Sequence, residues 1–536
     1  MSRIKVKNIL LLLSLVCSLL NTSSVSALQL AKIFTSNMVL QQRQALPVWG
    51  KAKAGGKITV SFLEQSSSTY ANENGDWLIE LSPLAASYTP ETLRVELVEQ
   101  GNKKALVIEN VLVGEVWLSS GQSNMRFTLG KSLGAKDALK TATNPHLRLL
   151  DFTDEKFYPT KKIYKVADLE LLSPDSYFQS LGWQVSNLTS AKSFSAVAYH
   201  FADQLQQLLD VPVGMINVAL GGSLMENFIS NDKLASIPSL AKLNDDWLEH
   251  IPQWCAQRAK YNLSAWFKVH PETLPNHPFK PGFLFAAGIK PLAPFALKGF
   301  IWYQGESNAP IEHAKHNDPL SAYQDEFSLE LNKVKFKALI SDWRAHWQNT
   351  ELPFYFVQLP GLNRPWAPFR QLQAEIVEEV TNTGMVVTYD LGHPNDVHPK
   401  NKKPVGQRLA RLALKDSYQQ GLIAHGPEFL RAEQAHASIK VYFKAQAVHS
   451  GSTLSLLGNE KSLKGFEIAA QNGEFIGAQA KIQEDHIELS HPSISRPIKL
   501  RYAWFDDPKD KANLANGIGL PARPFSYELV SQTVVN

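Results

Sequence analysis

The chain has 536 residues, 44% of them apolar and 19% charged, with 30 Gly and 30 Pro. That composition excludes disorder and collagen-like repeats, and the length suits about three domains with ample buried core. Of the 54 basic residues, Arg3, Lys5 and Lys7 sit at the extreme amino terminus, and without those three, 51 basic residues face 50 acidic ones. Such a balance leaves no electrostatic footprint for nucleic acid or for an anionic membrane surface.

Residues 1–27 read as a secretory leader. The basic start precedes an apolar run from Ile9 to Leu20, and small Val25 and Ala27 follow at the spacing a signal peptidase accepts. The run is shorter than the roughly 20 residues a membrane span needs, and no later stretch approaches that length. The expectation is an exported protein, periplasmic or secreted, with no membrane association after cleavage. Cys17 lies within the leader and Cys255 stands alone, so stability has to come from the core rather than from disulfides.

Residues 28–110 carry short apolar or alternating runs separated by turn signals. Met38-Val-Leu40, Leu46-Pro-Val-Trp-Gly50, Ile58-Thr-Val-Ser-Phe62, Trp77-Leu-Ile-Glu-Leu81 and Leu93-Arg-Val-Glu-Leu97 predict a small β-rich, sandwich-like region. Residues 111–425 change texture, with apolar strands alternating with longer helical segments. Between Phe194 and Leu209, Val197, Phe201, Leu205 and Leu208 recur on one helical face. That alternation predicts an α/β domain with a parallel sheet covered on both sides. Residues 426–536 return to short β runs, among them Ile439-Lys-Val-Tyr-Phe443, Ile487-Glu-Leu489 and Ile498-Lys-Leu-Arg-Tyr502.

Four apolar runs of the middle region end in small polar clusters. Val113–Leu118 leads into Ser119-Ser-Gly-Gln-Ser-Asn-Met125, and Val213–Leu220 into Gly221-Gly-Ser-Leu-Met-Glu226. Phe300–Tyr303 leads into Gln304-Gly-Glu-Ser-Asn308, and Met385–Tyr389 into Asp390-Leu-Gly-His-Pro-Asn-Asp-Val-His398. In a parallel sheet all four ends share one edge, where open α/β folds bind ligands. Three of the clusters contain Gly-x-Ser, but Met125, Met225 and Ala309 occupy the fifth positions, so none is the Gly-x-Ser-x-Gly elbow of α/β-hydrolases.

Ser123 is the candidate nucleophile, because it follows the first strong strand and has the amides of Gln122 and Asn124 beside it. A serine hydroxyl needs a base. His398 is the natural one, favoured over His393 because Pro399 ends its loop and holds the ring near the tip. Acyl chemistry also needs donors aimed at the oxyanion. Gly221 and Gly222 offer unobstructed N–H groups, and Gln304 and Asn308 offer side-chain amides that would otherwise serve turns. Trp302, Tyr303 and Trp366 are candidates either for stacking on sugar rings or for ordinary core packing.

Gly114-Glu-Val-Trp-Leu-Ser-Ser-Gly-Gln-Ser-Asn-Met125, Trp302-Tyr-Gln-Gly-Glu-Ser-Asn-Ala309 and Asp396-Val-His-Pro-Lys-Asn-Lys402 with Gly406-Gln-Arg-Leu-Ala410 resemble the sialate O-acetylesterase family of SGNH-type hydrolases. Met38-Val-Leu-Gln-Gln42, Gly465-Phe-Glu-Ile-Ala469 and Gly519-Leu-Pro-Ala-Arg-Pro-Phe525 extend the resemblance over nearly the whole chain beyond the leader. The resemblance implies a flavodoxin-like α/β/α domain that removes acetyl groups from sugar hydroxyls through an acetyl-enzyme, without metal or organic cofactor. It matches Ser123 to the nucleophile, His398 to the base, Gly222 to the glycine of the second block, and Gln304 or Asn308 to the third-block amide.

Two positions depart from the family pattern. Asn395 stands where an Asp is usual three residues before the His, so the orienting acid is either Asp396 or Glu306. Gly221-Gly-Ser-Leu-Met-Glu-Asn-Phe228 lacks the usual Thr and Trp, which leaves the sugar open. The substrate is expected to be an acetylated carbohydrate, sialate first and plant polysaccharide such as xylan or xyloglucan second. Two readings of other classes remain: a metal-dependent hydrolase built on Asp390, His393, Asp396 and His398, and a non-catalytic sugar-binding protein.

Overall fold

The computed structural model describes residues 28–99, 101–153, 156–312, 322–323, 327–444 and 454–529. The expected leader, residues 1–27, lies outside them. No helix among the described residues is long and apolar enough to cross a membrane.

The organising element is β1 (Asn102–Gly121), a strand of 20 residues. Its first half mixes exposed and buried positions and pairs antiparallel with Ser87–Glu99, as suits a sheet with one wet face. From Val111 onward every residue is buried, as suits a strand covered on both sides. The change of texture at residue 110 therefore falls inside one strand, and Asn110 marks it with a φ of 57° and a side-chain hydrogen bond to Asn37. Through β1 the amino-terminal strands, including Lys57–Phe62 and Gln65–Tyr70, join the same 11-stranded sheet as the α/β core.

After β1 come α1 (Ser123–Arg126), β2 (Asn144–Phe152), β3 (Gln184–Ser186), α2 (Ala196–Leu209), β4 (Val213–Ala219) and β5 (Gly299–Tyr303). Then follow α3 (Leu329–His346), β6 (Phe354–Val357), α4 (Ala367–Glu379), β7 (Thr383–Val386) and α5 (Lys403–Asp416). The strand order is β3-β2-β4-β1-β5-β6-β7, parallel throughout except for β3. The α/β expectation with a parallel sheet holds. β1 has β4 on one side and β5 on the other, so the order reverses there, and the crevice of such a sheet opens beyond the carboxyl end of β1.

One face of the sheet buries α2 and α5 through Val197, Phe201, Leu205, Leu409 and Leu412. The other buries α3 and α4 through Phe336, Trp343, Phe369 and Leu372. Gly406 lets α5 approach α2 closely, since a Cβ there would stand 2.5 Å from the Val197 carbonyl. The predicted stripe on α2 is right except at Leu208, which is 53% exposed; Ala198 and Ala202 are buried instead.

Two four-stranded sheets, Phe429–Ala435 with its partners and Phe466–Ala469 with its partners, follow α5 and share a core of their own. That core includes Tyr389, whose hydroxyl bonds to that of Tyr502 at 3.1 Å. Lys509 Nζ donates to the Gly392 carbonyl at 3.3 Å. Both contacts fall on the segment between β7 and His398, so the carboxyl-terminal sheets brace the loop that carries the histidine.

Candidate active site

Ser123 is the first residue of α1, directly past the carboxyl end of β1. The turn into it depends on Gly121, whose φ is +138° and whose Cβ, if present, would stand 2.1 Å from the Tyr303 carbonyl oxygen. The obstacle is backbone on the adjacent strand and cannot swing away. Gly121→Ala is therefore expected to lower stability by about 2 kcal/mol or more and to displace Ser123, with kcat/KM falling alongside. Denaturant unfolding run beside an esterase assay checks this, and an unchanged enzyme would contradict it.

His398 lies 275 positions away in sequence, yet its loop meets α1. Asn124 Nδ2 donates to the Val397 carbonyl at 2.9 Å, so the residue after Ser123 is bonded to the residue before His398. The Phe127 ring faces the imidazole, with centroids 6.5 Å apart and planes at 29°. Among the described residues the Ser123 hydroxyl and the His398 ring make no hydrogen bond, with each other or with another group. Such pairs commonly tighten only when substrate binds.

The two candidate orienting acids behave differently. Asp396 Oδ1 accepts the backbone N–H of His398 at 2.9 Å and so shapes the loop; its charge favours imidazolium. Glu306 is buried, and its Oε1 accepts from Asn124 Nδ2 at 2.5 Å. Neither carboxylate bonds to the ring. Lys402, at the amino-terminal cap of α5, is buried against the rings of Phe127 and Tyr303 and donates to Asn124 Oδ1. In the sequence Asn124 stands out only as an amide beside Ser123, and Lys402 only as the end of its motif.

These burials set the protonation states. The His398 imidazole is held below its ordinary value, chiefly by burial and then by the charge of Lys402, with Asp396 opposing. Burial brings the Lys402 ammonium down to about 7 against the pull of Glu306 and Asp396. Burial pushes the Glu306 carboxyl up, against its bond to Asn124 and the charges of Lys402 and Arg364.

The glycine block follows β4. A Cβ on Gly221 would stand 1.8 Å from the Tyr158 hydroxyl and 3.5 Å from the Ser123 Cβ, so this backbone runs between Ser123 and Tyr158. Gly222, with φ +79°, would set a Cβ 3.4 Å from Phe279 and 3.7 Å from Trp254. Among the described residues no carbonyl takes the N–H of Ser123 or of Gly222. Arg126 lies over the Tyr158 ring at 4.7 Å. Asp151, near the end of β2, is pushed up to about 6 by burial, although Asn217 and Arg126 favour its charged form. Tyr158 and Phe279 come from irregular segments and Trp254 from the first turn of the helix Gln253–Asn262, so no shared periodicity singles them out.

The third-block amides brace this turn from beneath. Asn308 is fully buried; its Nδ2 donates to Glu226 Oε2 at 2.9 Å and its Oδ1 accepts the Met225 N–H at 3.0 Å. Gln304 Nε2 donates to Asn308 Oδ1 at 2.6 Å and to the Ser223 carbonyl at 3.1 Å. Gln122 joins the first block to the third, its Oε1 accepting the Ser307 N–H at 3.2 Å. Trp302, Tyr303 and Trp366 are buried in the core, which removes them as stacking surfaces. Asp390 pairs with Arg408 through two bonds of 2.8 and 2.6 Å. No three His, Cys, Asp or Glu side chains among the described residues cluster as metal ligands would.

A family described as carbohydrate esterase, sialic acid-specific acetylesterase, matches residues 285–415. Sialate O-acetylesterase of Mus musculus is 25% identical over 448 residues, 77% of this chain and 78% of its own length. The Homo sapiens enzyme of that name is 26% identical over 431 residues, 74% and 72% of the two chains. The crystal structure of a carbohydrate acetylesterase from Xanthomonas citri superimposes with a TM-score of 0.73 at 29% identity, covering 93% of this chain and 99% of that one.

The chain is thus a carboxylic ester hydrolase, with its candidate groups gathered at the switch point of a parallel sheet. Its likeness is to the carbohydrate acetylesterases, the mammalian sialate O-acetylesterases among them.

Proposed function

We propose that this enzyme is an SGNH-type serine esterase that removes O-acetyl groups from sugars, with O-acetylated sialic acid as its substrate. In this reading the domain is flavodoxin-like, in keeping with a sheet whose order reverses at β1. His398 Nε2 takes the proton of Ser123 Oγ, which attacks the acetyl carbonyl. The N–H groups of Ser123 and Gly222 stabilise the oxyanion, held in place from below by Gln304 and Asn308. The tetrahedral intermediate collapses as His398 returns the proton to the departing sugar oxygen, and water then hydrolyses the acetyl-enzyme by the same base catalysis. Asp396 supports the imidazolium electrostatically. Glu306 acts one step removed, through Asn124.

The observation that carries this reading is the bond from Asn124 Nδ2 to the Val397 carbonyl, which ties the serine block to the histidine loop. The names of the mammalian relatives support sialate as the sugar. The basic and apolar residues of the first 27 positions support export. The test is acetate release from O-acetylated sialic acid and from acetylated xylan, by the wild type and by Ser123→Ala. Release from the sialate by the wild type alone is expected. Preference for xylan would move the enzyme to the plant-polysaccharide reading, and release by Ser123→Ala would refute the nucleophile.

A further inference from the structure

We infer that Lys402 is a positioning residue: its buried ammonium locks Asn124 between the serine block and the histidine loop and so sets the place of the His398 imidazole relative to Ser123. This rests on the Ser123–His398 reading and adds to it a group that touches neither the ester nor the reacting atoms.

Asn124 is the hub. Its Oδ1 accepts from Lys402 Nζ, while its Nδ2 donates to Glu306 Oε1 at 2.5 Å and to the Val397 carbonyl at 2.9 Å. An amide used at both ends cannot rotate, because a flip would set its NH2 against an ammonium and its oxygen against a carboxylate and a carbonyl. The hub therefore fixes the separation of Ser123, before it, and His398, after Val397.

The ammonium is held in an uncommon place. Lys402 is 1% exposed, and the rings of Phe127 and Tyr303 each lie 5.2 Å from its Nζ. A lysine is almost never buried without a partner. The charged groups that act on it are Glu306, on the turn after β5, and Asp396, on the histidine loop. Glu306 in turn feels Lys402 and Arg364, and has one carboxylate oxygen, Oε2, buried without a hydrogen bond. The charged groups acting on His398 are Lys402 and Asp396, in opposition.

The sign of the effect follows. A positive charge near an imidazole disfavours imidazolium, so Lys402 moves the acid limb of activity to lower pH. Lys402 loses its own proton near pH 7. It is therefore mostly charged through the limb, which lies below the ordinary imidazole value.

The test is the pH profile of kcat and KM for p-nitrophenyl acetate, measured on the full-length wild type, Ser123→Ala and Lys402→Met. In Lys402→Met the acid limb of kcat/KM is expected to rise by about one pH unit. Below the limb this appears as a loss of about tenfold, carried by kcat with KM unchanged; the loss from the altered charge shrinks above pH 8, where the wild-type lysine is already neutral. A uniform loss at every pH, or a limb that stays in place, would overturn the inference, since a purely structural lysine moves no titration.

If Lys402→Met does not fold, Glu306→Gln carries the same test. Removing the carboxylate that favours the ammonium should shift the limb in the same direction by a smaller amount, and a shift to lower pH would overturn the inference. Ser123→Ala separates the two readings. Activity retained there refutes the nucleophile, whereas activity lost there with an unmoved limb in Lys402→Met refutes only the lysine.

Discussion

Replacing Ser123 with Ala is expected to lower kcat for acetyl ester hydrolysis by about 10⁴-fold or more, with little change in KM or stability. The side chain is only partly buried and holds no other group in place, so its removal should disturb nothing but the chemistry. His398→Ala should fall to nearly the same floor. The double variant should be no slower than either single one, because a nucleophile without its base and a base without its nucleophile leave the same residual oxyanion stabilisation. Burst and steady-state kinetics on p-nitrophenyl acetate measure both. Losses that multiply in the double variant would mean that the two residues do not act as a unit.

The second large effect concerns stability. Glu226 and Lys335 form an ion pair at 2.8 Å with both side chains fully buried. Breaking such a pair from one side leaves an uncompensated charge, so Lys335→Met is expected to destabilise the protein by about 3–5 kcal/mol. Glu226 also accepts from Asn308, which holds the Met225 N–H, so the loss should loosen the Gly221–Gly222 turn as well. The paired replacement Lys335→Met with Glu226→Leu should recover much of the stability but not the activity, because the Asn308 amide stays unpartnered. Denaturant unfolding of the single and double variants reads this directly. A single variant as stable as the wild type would contradict the account.

The strand ends were legible because each combined two opposite signals, an apolar run and an abrupt polar cluster. Val213–Leu220 and Phe300–Tyr303 match β4 and β5 within one residue. The run Met385–Tyr389 is displaced from β7, starting two residues late and overrunning its end by three, since β7 ends at Val386 and Tyr389 turns away to pack against the carboxyl-terminal sheets. β6 carries no such signal, because its four residues fall between two helices without a polar cluster.

That the strand-end blocks converge was legible in the sequence; how they are wired together was not. Ser123 and His398 could be chosen from position and chemistry alone. That Glu306 bonds to Asn124, and that Asn308 faces Glu226, depends on contacts between residues 182 and 82 positions apart, and no local pattern encodes these. Lys402 was hidden for a related reason, since a lysine one residue before a helix reads as solvated until tertiary packing closes over it.

The central claim is that Ser123 attacks the ester with the help of His398. The most direct measurement is to treat the wild type and His398→Ala with a serine-directed phosphonate and locate the adduct by peptide mass spectrometry. The account predicts one adduct, on the peptide that carries Ser123, formed together with the loss of esterase activity and far more slowly in His398→Ala. An inactivating adduct on any other residue, or full esterase activity with Ser123 modified, would contradict it.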